Sequence, residues 1–308
     1  MTNLTAPIYN NEDAARAHFE GIRWPDGRVC PHCGTVGNST LMQGKTTRPG
    51  LYKCKDCRKP FTATMGTIYE RSHIPLHKWL LATQLMVASK KGISAHQLFR
   101  MLGFGSYRTA WFMAHRIREA MTAGDTGPLG GNGATVEADE TYIGRKKGVD
   151  APRGGFRHKM RVVSLVDRNS GIARSIFADQ LTAGEIASIV RVNVSRDSRL
   201  MTDEARHYWA VGREFDKHDR VLHGIGEYVR GDAYTNTVEG FFSIFKRGMR
   251  GIYQHCGEQH LHRYLAEFDF RYSNRAGLGV NDNARAIKAV KGVVGKRLTY
   301  QQANRVAA

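Results

Sequence analysis

Residues 136–144 read VEADETYIG, and the placement of this stretch decides the fold. Val136, Ala138 and Tyr142 alternate with Glu137, Asp139, Thr141 and Ile143, a period of two that predicts a β-strand with two different faces. Glu137, Asp139 and Glu140 fall within four positions of this strand. A charge presented from mid-strand needs a cation beside it, either basic side chains or a divalent metal. Working outward, MRVVSLVD (160–167) and IARSIFADQL (172–181) also read as strands, joined by the turn RNSG. TAGEIASIVRVNV (182–194) reads as a helix, with Thr182 as N-cap and Glu185 at the capping-box position. SRLMTD is a short strand, EARHYWAVG is helical, and RVLHG (220–224) reads as a further strand. The helices NTVEGFFSIFKRGM (236–249) and EQHLHRYLAEFDFRYSN (258–274) follow. Three consecutive strands, a crossover helix, another strand and then helices predict an α/β domain with helices packed on a mixed sheet.

Upstream the punctuation changes. GDTGPLGGNGA (124–134) is Gly-rich and aperiodic, and reads as a linker at a domain boundary. Before it, helical segments are predicted at 75–90, 94–101 and 106–121, broken at KKGIS and LGFGS, a punctuation that resembles a helix-turn-helix. In SYRTAWFMAHRIREAM, Ala110, Met113, Ala114, Ile117 and Met121 form a core stripe. Arg108, His115 and Arg118 fall on the other side, as a DNA-reading surface or an ordinary solvated face. A short helix is expected at 11–21, and residues after about 276 read as a basic, loosely packed tail. The expected organisation is therefore a short helix and cysteine module at 1–64, a helical DNA-binding segment at 65–123, the linker at 124–134, the α/β domain at 135–275 and the tail at 276–308.

Four of the five cysteines form CPHC (30–33) and CKDC (54–57), with 20 residues between the pairs. Each Cys-x-x-Cys wraps one side of a tetrahedral metal, so Cys30, Cys33, Cys54 and Cys57 predict a structural zinc ribbon; a redox pair is the other reading. Four thiolates leave no open position for chemistry. Cys256 stands apart in QHCGEQH and reads as a lone thiol. The chain carries 46 Lys and Arg against 28 Asp and Glu, a formal net charge of +18, which points to a polyanionic partner. A membrane surface would attract the same charge, but MTNLTAPIYN lacks a signal-peptide core and the best apolar run, WLLATQLMVA, is about half a membrane span. The expectation is a cytoplasmic, nucleoid-associated protein that faces double-stranded DNA and not a membrane.

Two further acids stand in suggestive places. Asp203 ends RLMTD and precedes a helix, the position where open α/β sheets hold ligands. Glu239 lies in the first turn of the 236–249 helix, 35 residues separating it from Asp203. On that helix Val238, Phe241, Phe242, Phe245 and Met249 form the buried stripe, while Asn236, Glu239, Ser243, Lys246 and Arg250 share a neighbouring face. Hard carboxylate oxygens that hold Mg²⁺, with Lys246 to offset phosphate charge, are what phosphodiester chemistry wants. Each acid has a plainer reading: Asp203 as an N-cap, Glu239 as a residue favoured by the helix dipole, Glu137 and Glu140 as surface acids at strand ends.

The blocks CPHCG, KCKDCRKPFTATMGT, SYRTAWFMAHRIREAM, VEADETYIG, GEYVRGDAYTNTVEGFFSIFKRG and HLHRYLAEFDFRYSNR resemble the DDE transposases of bacterial insertion sequences that carry an N-terminal zinc ribbon, over about residues 20–275. The resemblance implies a multidomain protein: a zinc ribbon, a helix-turn-helix-like segment and a ribonuclease-H-like α/β domain with a mixed sheet and a metal-binding acidic triad. Carried over by position, the first two acids are Asp139 and Asp203. For the third, the spacing and Lys246 favour Glu239, with Asn236 as the alternative, since some members have Asn there. The implied cofactors are structural Zn²⁺ and catalytic Mg²⁺ or Mn²⁺. The implied function is cleavage and strand transfer at the element's terminal inverted repeats into target DNA, by a homo-oligomer assembled on DNA. DNA contacts are expected at Arg108, His115, Arg118 and Arg250. The competing functions are a catalytically silent DNA-binding protein descended from a transposase, and a structure-selective nuclease on the same fold.

Overall fold

The computed structural model describes residues 3–124, 126–151, 153–227 and 229–298. The chain divides into two compact units, one of residues 1–89, 93–121 and 281–308 and the other of residues 90–92 and 122–280.

The first unit opens with α1 (Glu12–Arg23), capped by Asn11, whose side chain accepts the Ala14 N–H, and burying Ala15 and Phe19. Three short antiparallel strands follow, β1 (Ser39–Leu41), β2 (Tyr52–Cys54) and β3 (Pro60–Phe61), in that order across the sheet. They bury little, and three rings fill the space between them: Trp24, Tyr52 and Phe61 meet at centroid distances of 5.8–6.0 Å. Then come α2 (Leu76–Ala88), α3 (Ala95–Met101), capped by Ser94, and α4 (Tyr107–Met121).

The second unit is built on a five-stranded sheet. Its strands are β4 (Thr135–Ile143), β5 (Met160–Asp167), β6 (Ala173–Ala178), β7 (Arg199–Thr202) and β8 (Lys217–Arg220). The order is β6-β5-β4-β7-β8, with β4, β5 and β6 antiparallel and both β7 and β8 running parallel to β4. α5 (Ala183–Asn193) makes the crossover from β6 to β7, and the short α6 (Trp209–Gly212) precedes β8. Thr182 caps α5 as expected, but the Glu185 carboxylate turns back to accept the N–H groups of Asp179 and Gln180, at 2.7 and 2.9 Å. A small hairpin, β9 (Val229–Arg230) and β10 (Ala233–Tyr234), leads into α7 (Asn236–Gly248), a π-helical turn at Met249–Tyr253 and α8 (Leu261–Ser273). The fifth strand lies at 217–220, earlier than the expected 220–224; its sequence KHDR is polar, as suits a sheet edge, and hides from a hydrophobic reading.

Both faces of the sheet are covered. Ile143, Met160, Val162 and Val166 pack with α7 and α8 through Val238, Phe241, Phe245, Leu265 and Phe268. Val136, Ala138, Val163 and Leu165 pack with α5 and the α6 region through Ile186, Val190, Tyr208 and Val211. β5, in the middle of the antiparallel part, accordingly reads as a nearly unbroken apolar run.

Beyond α8 the chain returns to the first unit. The expected loose tail instead contains α9 (Asp282–Lys291), capped by Asn281 and burying Arg285, Ala289 and Val290 against α2 and α4. The basic composition concealed this helix because one of its buried residues is charged: Arg285 donates to Val87 O at 3.0 Å and to Asp282 at 2.8 Å. Residues 299–308 of that tail lie outside the described residues. Among the described residues no helix is long and apolar enough to cross a membrane.

Candidate functional site

The two knuckles bring four sulfurs together. Cys30 and Cys57 Sγ are 3.7 Å apart, Cys33 and Cys54 Sγ are 3.6 Å apart, and all four lie within 4.8 Å of one another. A zinc ion at ~2.3 Å from four sulfurs would space them by about 3.8 Å along the tetrahedron's edges. Gly34, at φ +78°, makes the tight turn that closes the first knuckle. The donor set and its spacing fit structural zinc.

The carboxylates assemble differently. β4 pairs with β7 in parallel register, Thr135 opposite Arg199 and Glu137 opposite Met201. Carried two residues on, that register sets Asp139 level with Asp203, which lies just past the end of β7. Asp139 points to the α7 side of the sheet, the side of its strand neighbours Glu137 and Ile143. Glu239 sits in the first turn of α7. Burial, then the charges of Glu140, Asp203 and Glu239, push the Asp139 carboxyl up to about 8, although the Glu140 N–H donates to it at 2.7 Å. Asp203 is raised by burial and by Glu140 and Glu204, while the Ala205 N–H, at 3.0 Å, opposes the shift. Lys246, two turns along α7, is lowered by burial and held up by Asp139. Asp139 thus feels the charges of Asp203 and Glu239, and Lys246 feels that of Asp139. They form a wider set than the sulfurs: among the described residues only the four cysteines have all their donor atoms within 4.8 Å. Asn236 is exposed at the first position of α7.

The neighbouring acids are not surface residues at strand ends. Glu137 is fully buried, paired with Arg168, and its other oxygen accepts the Val238 N–H at 2.9 Å. Arg168 also donates to Asp232 O at 2.9 Å and to Tyr234 O, and its guanidinium lies 3.5 Å from the Tyr234 ring centroid. This pair therefore ties β4 to β10 and to the first turn of α7, the turn that carries Glu239. Glu140 faces the other way, accepting the Tyr208 hydroxyl at 2.9 Å with His207 Nε2 at 3.1 Å. That contact raises His207 above its usual range. The alternation that put Asp139 on the inner face already put Glu137 there. Arg168, 31 residues later, has no local signal of its own. Glu239 accepts the Thr235 hydroxyl at 2.7 Å, with His223 Nε2 at 3.7 Å.

The expected DNA-reading face of α4 is corrected. His115 and Arg118 are each 1% exposed, and α4 lies among α2, α3 and α9. His115 packs on the Trp111 ring at 4.1 Å. The helix is enclosed on more sides than one apolar stripe predicts, because α9 was not legible as a helix. Arg108, in the exposed first turn, and Arg250, after α7, are on the surface.

Comparison with known proteins follows the same two parts. Residues 128–273 match the ISXO2-like transposase domain and residues 10–60 the transposase zinc-ribbon domain. An uncharacterized protein in transposable element ISH50 of Halobacterium salinarum is 30% identical, over 81% of this chain and 87% of that protein. The chain is also similar to one in a solved simian T-cell lymphotropic virus intasome in complex with PP2A regulatory subunit B56 gamma. That similarity covers 56% of this chain and 63% of that chain, with 13% identity and a TM-score of 0.30, too slight to carry weight. Matched in both parts, and with a relative that spans most of its length, the chain belongs to the insertion-sequence transposases that join a zinc ribbon to an ISXO2-like transposase domain.

Proposed function

We propose that this transposase cleaves DNA strands at the ends of its element and joins them to target DNA, with Asp139, Asp203 and Glu239 as the acidic triad. The observation that carries the reading is that the β4–β7 register sets Asp139 level with Asp203, while the charge of Glu239 reaches Asp139 and that of Asp139 reaches Lys246, from parts of the chain far apart in sequence. Their hard oxygen donors suit Mg²⁺ or Mn²⁺, which when bound supplies the Lewis acidity that activates a water or 3′-hydroxyl. The chain's own part is positional. Asp139 on β4 is level with Asp203 just past the end of the adjacent parallel β7, Glu239 is in the first turn of α7, and Lys246 offers its ammonium to a phosphate oxygen. Glu239 is favoured over Asn236 because its charge reaches Asp139.

The test is strand cleavage and joining on a duplex carrying the terminal repeats, for Asp139→Asn, Asp203→Asn and Glu239→Gln. Each should lose both activities while still binding the repeats. Full activity in all three would mean that the acids are structural; binding without cleavage in the unaltered protein would favour the silent DNA-binding reading, and cleavage without joining the nuclease.

A further inference from the structure

β4 and β7 run parallel, so the segments that leave their C-terminal ends rise from one edge of the sheet. Asp203 lies at that edge, and four residues beyond Asp139 the same edge launches residues 144–159, the connection to β5. An antiparallel pair needs only about two residues to turn. This connection is far longer and strongly charged: Arg145, Lys146, Lys147, Arg153, Arg157 and Lys159, with Arg161 at the start of β5, stand against Asp150 alone.

It is also folded. The Lys146 N–H donates to His158 O and the Lys159 N–H to Phe156 O, both at 2.8 Å, and Phe156 stacks on Tyr142 of β4 at 4.6 Å and 28°. Little of the charge is compensated. Lys146 reaches Glu258 at 3.2 Å and Arg145 lies 4.0 Å from Asp150. Lys147, Arg153 and Arg157 are exposed and make no ion pair among the described residues. Between the arm and the start of α5 lies a cleft of about 590 Å³, whose cations are Lys146, Arg157 and Arg161, with Asp179 and Thr182 on its far side. Like charges repel one another, and a connection whose ends are tied together and whose cations are left uncompensated is suited to a polyanion laid across it.

We propose that this β4–β5 arm is a clamp for duplex DNA, in which Lys147, Arg153 and Arg157 hold the phosphate backbone beside the acidic site. The proposal rests on the reading of Asp139, Asp203 and Glu239 as the DNA-processing centre.

The experiment compares two charge-matched triple variants of the full-length protein. One is Lys147→Ala with Arg153→Ala and Arg157→Ala. The other is Arg196→Ala with Arg213→Ala and Lys217→Ala, which removes two cations from the segments preceding β7 and β8 and one from the first residue of β8, at the opposite edge of the sheet. Affinity for a random-sequence DNA duplex is measured by fluorescence anisotropy across a salt series. The arm variant should weaken binding at least about tenfold near 0.1 M salt and flatten the log–log salt slope by about 2–3, while the opposite-edge variant changes either quantity little. Equal losses in both, or none in the arm variant, would overturn the proposal. So would loss of binding only to phosphatidylserine vesicles, which would make the arm a membrane contact. Asp139→Asn, assayed alongside, separates the two readings: if it still cuts DNA, the catalytic assignment fails, whereas the arm stands or falls on the salt slope alone.

Discussion

The four sulfurs and the three carboxylates gather their members over very different stretches of chain. Each knuckle places two cysteines three positions apart, so a single loop closure completes the sulfur cluster, and the Sγ atoms sit 3.6 and 3.7 Å apart across it. Asp139, Asp203 and Glu239 come from a strand, the position just past a strand end and a helix, elements far apart in the chain. The sulfurs are built to be joined by a metal, which is part of that module's folding. The Asp139 carboxyl is instead held at a cost, raised first by its burial and then by the neighbouring acidic charges. The difference teaches that one cluster should be essential to structure and dispensable to chemistry, and the other the reverse.

The largest expected effect tests the structural side. Cys30→Ser, or zinc removal by a chelator, should unfold the module around residues 22–64, because apparent zinc-binding free energies at such sites run to roughly 10 kcal/mol or more. Hydrogen exchange should then accelerate across β1–β3 while β4, β5 and α7 keep their protection; collapse of both regions together would break the comparison. Metal analysis of the unaltered protein should give one zinc per chain.

On the catalytic side, Asp139→Asn should lower strand cleavage by roughly a thousandfold or more, the order of the several kcal/mol that metal-assisted charge stabilisation provides. The same substitution should leave the melting temperature unchanged or raise it by a few degrees, since it relieves a buried carboxyl pressed by like charges. A clear drop in melting temperature would mean that this acid, too, is structural.

Glu137 sharpens the contrast, because it is an acid on the same face as Asp139 from which the opposite behaviour is expected. Glu137→Ala leaves the Arg168 guanidinium without its carboxylate and the Val238 N–H without its acceptor, and should cost about 3–5 kcal/mol, with faster amide exchange in the first turn of α7. Glu137→Gln, which can still accept the Val238 N–H, should cost less. Equal melting temperatures for Glu137→Ala and Asp139→Asn would erase the distinction.

The smaller effects lie along α7. Lys246→Ala should slow cleavage by about ten- to a hundredfold without abolishing it, the equivalent of one charged hydrogen bond to phosphate at ~1.5–3 kcal/mol. Asn236→Ala, at an exposed position, should change the rate least. If Asn236→Ala is dead and Glu239→Gln active, the third member of the triad is Asn236.

Local chemistry accounts for what could be read from the residues alone. The cysteine spacing, the period of two in β4, the cap of Thr182 and the apolar stripe of α7 each act within a few residues of themselves, so they show in one dimension. The residue pattern placed Asp139, Asp203 and Glu239 on their elements, but it could not decide that β4 and β7 pair in the register that sets the two aspartates level. Nor could it tell that Glu137 is buried: a carboxylate is tolerated there only because Arg168 and the Val238 N–H arrive from elsewhere in the chain. The burial of His115 and Arg118 and the folding of α9 belong with these. A charged side chain reads as surface in sequence, and only the assembled packing can supply the partners that allow it inside.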